Sequence, residues 1–248
     1  MMKCFKTRRV YKPANNNGIF GSVALFDMIN SPEYEKLVKM SYRDMDNLGT
    51  ADPILTKLIE EKGFDALPIL VDNNHYHVLL RSKLKEIYRG VRYPNAAKDF
   101  AFNPKLFVGK GIYCNGIYFT YGGDGAKAEA ELYLYPQTGS QLDLHHGYMK
   151  TYPKGEVICA LMKKDAKIVD TKSLCKIRKS MENYVNKQIY SDSTKDKLIK
   201  LISRDLAVVA VLNGYDAINI KDSKYMVVLN RGKLIMKNPN LKDNVFEK

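Results

Sequence analysis

From Glu86 to the end of the chain, apolar residues come in runs of two to seven closed by turns, and this pattern limits the fold most. The runs that read as strands are residues 87–91, 116–120, 156–162, 167–169, 217–220, 225–229 and 234–235. Each is short and rich in Ile, Val, Tyr and Phe, as strands are. Between the fourth and fifth runs lies a different pattern. After Asp170-Thr171, Leu174, Ile177, Met181 and Tyr184 recur at helical spacing. A second helix is expected from Asp192-Ser193, with Leu198, Ile199 and Ile202 inward, and residues 206–212 read as its continuation before Gly214. Strands grouped around an inserted helix pair give an α+β fold, not an alternating βαβ one.

Residues 1–84 read as a separate, mostly helical N-terminal region, with 85–248 as the main domain. A helix start is expected at Ser31-Pro32-Glu33, where serine can cap and proline suits the first helical position. Tyr34, Leu37, Val38, Tyr42 and Met45 would form its apolar face. A further helix is expected from Pro53 through Ile54, Leu55, Leu58 and Ile59, with Gly63 as its left-handed cap. Residues 69–71 and 77–80 read as strands flanking a hairpin-like turn at Asp72-Asn73-Asn74.

Composition excludes several classes. The chain has 248 residues, 45% hydrophobic and 10% aromatic, which is incompatible with disorder. Its longest clean apolar run, 206–212, falls far short of the roughly 20 residues of a membrane span, and no secretory h-region follows the basic start, so a cytoplasmic setting is expected. Cys4, Cys114, Cys159 and Cys175 are widely spaced without a CxxC pair and read as reduced thiols. His75 and His77, and the pair His145-His146, lack partners at zinc-ligand spacing, so no metal is expected. Forty Lys+Arg against 27 Asp+Glu leave a formal charge of +13, spread along the chain without a basic run. That charge suits an anionic partner, a nucleic acid or an acidic protein, but most of these lysines read as solvated faces.

Three segments carry the chemistry. They are Tyr88-Arg89-Gly90-Val91; Gly109-Lys110-Gly111-Ile112-Tyr113-Cys114-Asn115-Gly116-Ile117-Tyr118-Phe119 with the Ala-rich stretch 125–130; and Gly214-Tyr215-Asp216-Ala217-Ile218 with Lys224-Tyr225-Met226-Val227-Val228-Leu229-Asn230. Together they resemble the ADP-ribosyltransferase superfamily over about residues 85–236. The N-G-I-Y-F core is similar to the G-x-G-I-Y-F-A segment of the poly(ADP-ribose) polymerase and diphtheria-toxin branch, and the whole layout is most similar to bacterial and phage-encoded members.

The resemblance implies a split β-sheet core and an NAD-dependent mono-ADP-ribosyltransferase, with NAD as co-substrate and a macromolecular acceptor. A role in toxin action or phage–host conflict follows from that analogy. It implies that Arg89 anchors ribose or phosphate oxygens with its fork of donors. The backbone of Gly90 would fix the carboxamide, where a Cβ would intrude on the ligand. Tyr118 would form one wall for the nicotinamide ring, with Asn115 and Gly116 beside it in the same segment. The second ring is Tyr133 if residues 122–125 are an inserted turn, and Tyr121 otherwise. The family's catalytic Glu, which stabilises positive charge as the nicotinamide–ribose bond breaks, aligns with Lys224. Asp222, two residues earlier, would share a face with that position on an extended segment and could replace the carboxylate.

Blander readings accompany these. Arg89 could be a surface arginine on a strand, Phe119 a core residue and Asp216 a turn or strand-start residue. The whole could be a catalytically degenerate module that binds NAD, ADP-ribose or nucleic acid without reacting. An RNA 2′-phosphotransferase-like relative fits the motifs less well.

Overall fold

The computed structural model describes residues 29–32, 53–64, 69–91, 96–102, 111, 113–134 and 155–238. Among them run α1 (Pro53–Glu61), β1 (Leu70–Val71), α2 (Asn73–Arg81), β2 (Glu86–Val91), α3 (Ala96–Phe102), β3 (Ile117–Tyr121) and α4 (Asp124–Glu131). They are followed by β4 (Glu156–Met162), β5 (Ile168–Asp170), α5 (Thr171–Asn186), α6 (Asp192–Arg204), α7 (Leu206–Leu212), β6 (Ala217–Ile220), β7 (Tyr225–Val228) and β8 (Leu234–Met236). The eight strands join in one mixed sheet in the order β1-β8-β4-β2-β3-β7-β6-β5. Its interior is antiparallel, and only the two edge pairs, β1 with β8 and β5 with β6, are parallel. The α+β class expected from the sequence is the class observed.

The helices follow from their capping groups. Asp170, in extended conformation, accepts from the Ser173 N–H at 2.8 Å and starts α5; Ser191 caps α6 in the same way. Residues 206–212 do not prolong α6, as the sequence reading had it. Asp205 breaks the helix in extended conformation (φ −151°), and its carboxylate then accepts from the Ala207 N–H at 2.7 Å to start α7. Every residue of α7 except Leu206 is buried, as expected of a helix apolar on all sides.

Asp72 overturns the expected hairpin. Its carboxylate accepts from the Asn74 N–H at 2.7 Å and bonds His75 Nδ1 at 2.6 Å, so it is a helix cap and residues 77–80 are helical. His75 and His77 therefore both lie on α2. The expected cap of α1 is present: Gly63 takes φ +66°, and the Phe64 N–H reaches back to the Ile59 carbonyl.

The described part of residues 1–84 shares the core of the rest. Ile54, Leu55, Leu58 and Ile59 are buried in one cluster with α5, α6 and α7, and β1 extends the sheet beside β8. Of the helix expected from Ser31, only residues 31 and 32 fall within the described residues; Gly109, Lys110, Ile112, Cys4 and His145-His146 lie outside them. No described helix is long and apolar enough to cross a membrane.

Candidate functional site

The sheet opens at one seam, and the candidate site lies there. Strand β2 pairs with β4 along its full length, from Glu86 to Val91. Its pairing with β3 consists of only two positions, Ile87 with Tyr121 and Tyr88 with Thr120. Beyond Tyr88 the two strands part, while β3 remains paired with β7 through Ile117. Opening the ladder removes backbone donors along that edge of β3. The Arg89 Nη1 donates instead to the Tyr118 carbonyl at 3.0 Å.

A cavity of about 320 Å³ sits at this opening. That is near the lower end of the roughly 300–1,000 Å³ typical of small-molecule sites. From β2 it is lined by Tyr88, Arg89 and Gly90, and from β3 and the loop before it by Gly111, Tyr113, Gly116, Tyr118, Phe119 and Thr120. Ala130 and Tyr133 close it from α4 and the turn after it, and Tyr225 from β7. Cross-strand register explains part of this set. Tyr88, Thr120 and Tyr225 are opposite one another on three adjacent strands, so they share one face of the sheet.

The rings are fixed by their hydroxyls. The Tyr118 hydroxyl accepts from the N–H groups of Tyr113 (3.2 Å) and Cys114 (3.1 Å) and donates to the Cys114 carbonyl (2.7 Å). Burial, with the neighbouring Cys114, pushes its pKa well above the tyrosine range, so it stays protonated. A Cβ at Gly111 would lie 2.1 Å from the Tyr118 ring, so only glycine lets the loop cross it. Tyr225 stands edge-on to Tyr118 at 5.8 Å between centroids and donates to Glu129 Oε1 at 2.5 Å. The Tyr88 hydroxyl donates to Glu86, and that of Tyr113 bonds Ser223. None of these side-chain partners lines the cavity.

Helix α4 is clamped onto the same face. The Thr120 hydroxyl donates to the Ala126 carbonyl at 2.6 Å and also lies 3.1 Å from the Tyr88 carbonyl. Gly122 and Gly123, at φ +110° and +105°, make the turn from β3 into α4. The turn is shorter than the expected 122–125, since Asp124 and Gly125 already belong to α4; Tyr133 lines the cavity and Tyr121 does not. The Tyr121 hydroxyl points away, to Asn219 Oδ1 at 2.5 Å.

Other expected site residues divide in the same way. Arg89, Gly90, Gly116, Tyr118 and Tyr133 are brought together around the cavity, whereas Asn115, Tyr121 and Asp222 are absent from its lining. Asn115 is buried with its backbone N–H donated to Asp205 at 2.9 Å, which ties the loop to the start of α7. Gly90 lines the cavity, but the group that demands a glycine there is α4: a Cβ would come within 1.9 Å of the Ala130 carbonyl oxygen. Asp222 is not on an extended segment. Residues Lys221–Ser223 form a 3₁₀ turn, Lys224 follows in left-handed conformation at φ +53°, and Asp222 is exposed. Asp216 and Asn230 from the third motif bond each other at 2.7 Å, and Asp216 also accepts from the Lys167 N–H at 2.7 Å. These two residues fasten the ends of β6 and β7 and do not touch the cavity.

Sequence reasoning missed Tyr88, Tyr113 and Tyr225 as lining residues, although all three stand inside the motifs it singled out. The two-residue alternation that pairs Tyr225 with Tyr118 through Thr120 was the available signal. Comparison with known proteins gives no match: no family model, no curated protein and no solved structure matches this chain.

Proposed function

We propose that the chain is an NAD-dependent mono-ADP-ribosyltransferase whose cavity at the β2–β3 seam takes the nicotinamide–ribose end of NAD. One observation carries the reading: Arg89-Gly90 and Tyr118, distant in sequence, line a single cavity with Tyr133. The aromatic walls suit a flat ring, backbone groups of Gly90 and Gly116 are within reach of a carboxamide, and Arg89 offers donors to ribose or phosphate oxygens. A sheet opened at one seam is compatible with the split core that such a fold would have. In the reaction the C1′–nitrogen bond breaks, nicotinamide leaves as a neutral ring, and a nucleophile of the acceptor bonds C1′ after losing a proton. Fixing NAD in one pose supplies part of the rate. The acceptor is a macromolecule, and the net charge of +13 favours an acidic protein or a nucleic acid.

A second reading is favoured by Lys224 and by the exposure of Asp222. With a cation next to β7 and no aspartate among the described residues that line the cavity, the chain would hold NAD or ADP-ribose without cleaving it. Incubation with labelled NAD and a cell lysate separates the two. Nicotinamide release and a labelled macromolecule, both lost in Arg89→Lys with an unchanged melting temperature, support the transferase. Saturable NAD binding without release supports the module, and absence of both binding and release refutes either reading.

A further inference from the structure

Behind the cavity wall stands a counter-charge that no reading of the motifs assigns. Glu129, half-buried on α4, accepts the Tyr225 hydroxyl at 2.5 Å, and Tyr133 is a second hydrogen-bonding neighbour of Tyr225. Both tyrosines line the cavity, so the carboxylate lies one hydrogen bond behind its wall. Around it the rings are grouped as a cage: Tyr225 lies 5.8 Å from Tyr118 and 6.5 Å from Tyr113, neither pair stacked parallel. Ring faces attract cations, and a phenol hydrogen-bonded to a carboxylate presents a more electron-rich face than a free one. Arg89 enters the cavity from β2 and Tyr225 from β7, with β3 between these two strands, and the Arg89 guanidinium is held at the Tyr118 carbonyl of β3.

We propose that Glu129, acting through Tyr225, makes this cavity selective for a cationic aromatic ring, an N-alkylated pyridinium, over its neutral counterpart. The inference rests on the assignment of the cavity to the ring end of NAD and adds what that assignment leaves open, namely discrimination by charge. Positive at the ring and negative at the pyrophosphate, the oxidised dinucleotide matches a site with Glu129 at one side and Arg89 at the other. The reduced dinucleotide, whose ring is neutral, matches it less well. Glu129 is a positioning residue and a binding device. As the C1′–nitrogen bond breaks, positive charge leaves the ring, so a counter-charge there tightens substrate binding and does not speed cleavage.

The test is calorimetric titration of the full chain with 1-methylnicotinamide, a cation, and with nicotinamide, its neutral analogue. The wild type is expected to bind the cation about tenfold more tightly. Glu129→Gln keeps an acceptor for Tyr225 and should bring the two affinities within about threefold, with the kinetics of nicotinamide release from NAD showing a raised KM and an undiminished kcat. Tyr225→Phe, which keeps the ring and removes the tether, should also lose most of the preference and serves if Glu129→Gln does not fold. Equal affinities in the wild type, or a preference that survives both substitutions, overturns the inference and leaves the ring-end assignment standing. Binding of tetramethylammonium, lost in Glu129→Gln, with no binding of either pyridine, refutes that assignment and keeps the cation site. If none of the three probes binds, both fall.

Discussion

Gly90→Ala tests the clamp that shapes the cavity. One added Cβ would stand 1.9 Å from the Ala130 carbonyl oxygen, 2.9 Å from its carbon and 3.0 Å from the Tyr133 Cβ. The first two are backbone atoms near the end of a hydrogen-bonded helix and cannot swing aside as a side-chain tip would. Bringing the oxygen to even a tight 3.0 Å contact requires α4 or β2 to withdraw by about 1 Å. That withdrawal would stretch the 2.6 Å bond from Thr120 to Ala126, which fastens the helix to β3. Overpacking of this kind costs about 1–3 kcal/mol. A cost of 2 kcal/mol lowers the melting temperature of a chain this size by about 4–8 °C. Tyr133 would shift with the helix, so affinity for any ring ligand should fall as well. Gly125→Ala is the control. It lies on the same helix, nothing stands within 4 Å of its added Cβ, and it should stabilise by about 0.5–1 kcal/mol. If the two variants melt within 1 °C of each other, or both melt above the wild type, α4 does not press on Gly90 and the account of the cavity wall is wrong.

Two further outcomes bear on other parts of the molecule. Asp216→Ala removes the acceptor of two donors, the part-buried Lys167 N–H and the buried Asn230 side-chain amide, and should lower stability by about 2 kcal/mol in urea unfolding. Asp216→Asn should recover part of that, because one acceptor oxygen is kept. Burial pushes the Cys159 thiol up to about 12, the Glu86 carboxylate adding to the shift. At pH 8 this leaves about a thousandfold less thiolate than in an ordinary cysteine. Iodoacetamide should therefore modify Cys159 only after unfolding, as read by peptide mass mapping. Because the folded state holds this proton more tightly than the unfolded chain, its contribution to stability is complete below about pH 8.5. It is lost as pH rises from there toward 12.

How far the sequence revealed this depended on whether a signal was local. Strand β4 and strand β6 begin and end where the residue pattern places them, because β-branched and apolar residues stop at polar turns. The helix pair α5 and α6 was legible from spacing and from the starts at Asp170-Thr171 and Asp192-Ser193, although the cap of α6 is Ser191, one residue earlier. Asp72 misled because an Asp-Asn-Asn run serves a turn and a helix cap equally well, and the tertiary contacts of Tyr76 decide between them. Those contacts are distant: the Tyr76 hydroxyl bonds Glu86 and Cys159, neither of which a local reading connects to it. Asp222 misled for a related reason. The left-handed turn at Lys224 is occupied by a residue that gives no warning of it, and one such turn is enough to carry the carboxylate away from the face it was expected to share. Arg89 with Gly90, and Tyr118 with Gly116, were recognisable by type. The reasons for the glycines were not, since Gly90 answers to a helix carbonyl 40 residues away and Gly111 to the ring of Tyr118.

The tyrosines around the seam are arranged to solve one problem. A gap in a sheet exposes backbone groups and ring edges, and a chain with no use for it would close the ladder or fill the space with Leu or Val. Here five tyrosines line it, and four of them have the hydroxyl engaged with groups outside the lining: Tyr88 with Glu86, Tyr113 with Ser223, Tyr118 with the loop backbone at Cys114, and Tyr225 with Glu129. Anchoring the oxygens outside the lining leaves ring carbon as the wall and removes the rotational freedom that a long apolar side chain would retain. The site therefore offers flat apolar surface for the body of a ligand. The guanidinium of Arg89 and the backbone at Gly90 and Gly116 are left to meet its polar edges. Such a division of labour discriminates by ring shape first and by charge second, which places Glu129, hidden behind Tyr225, in the second role.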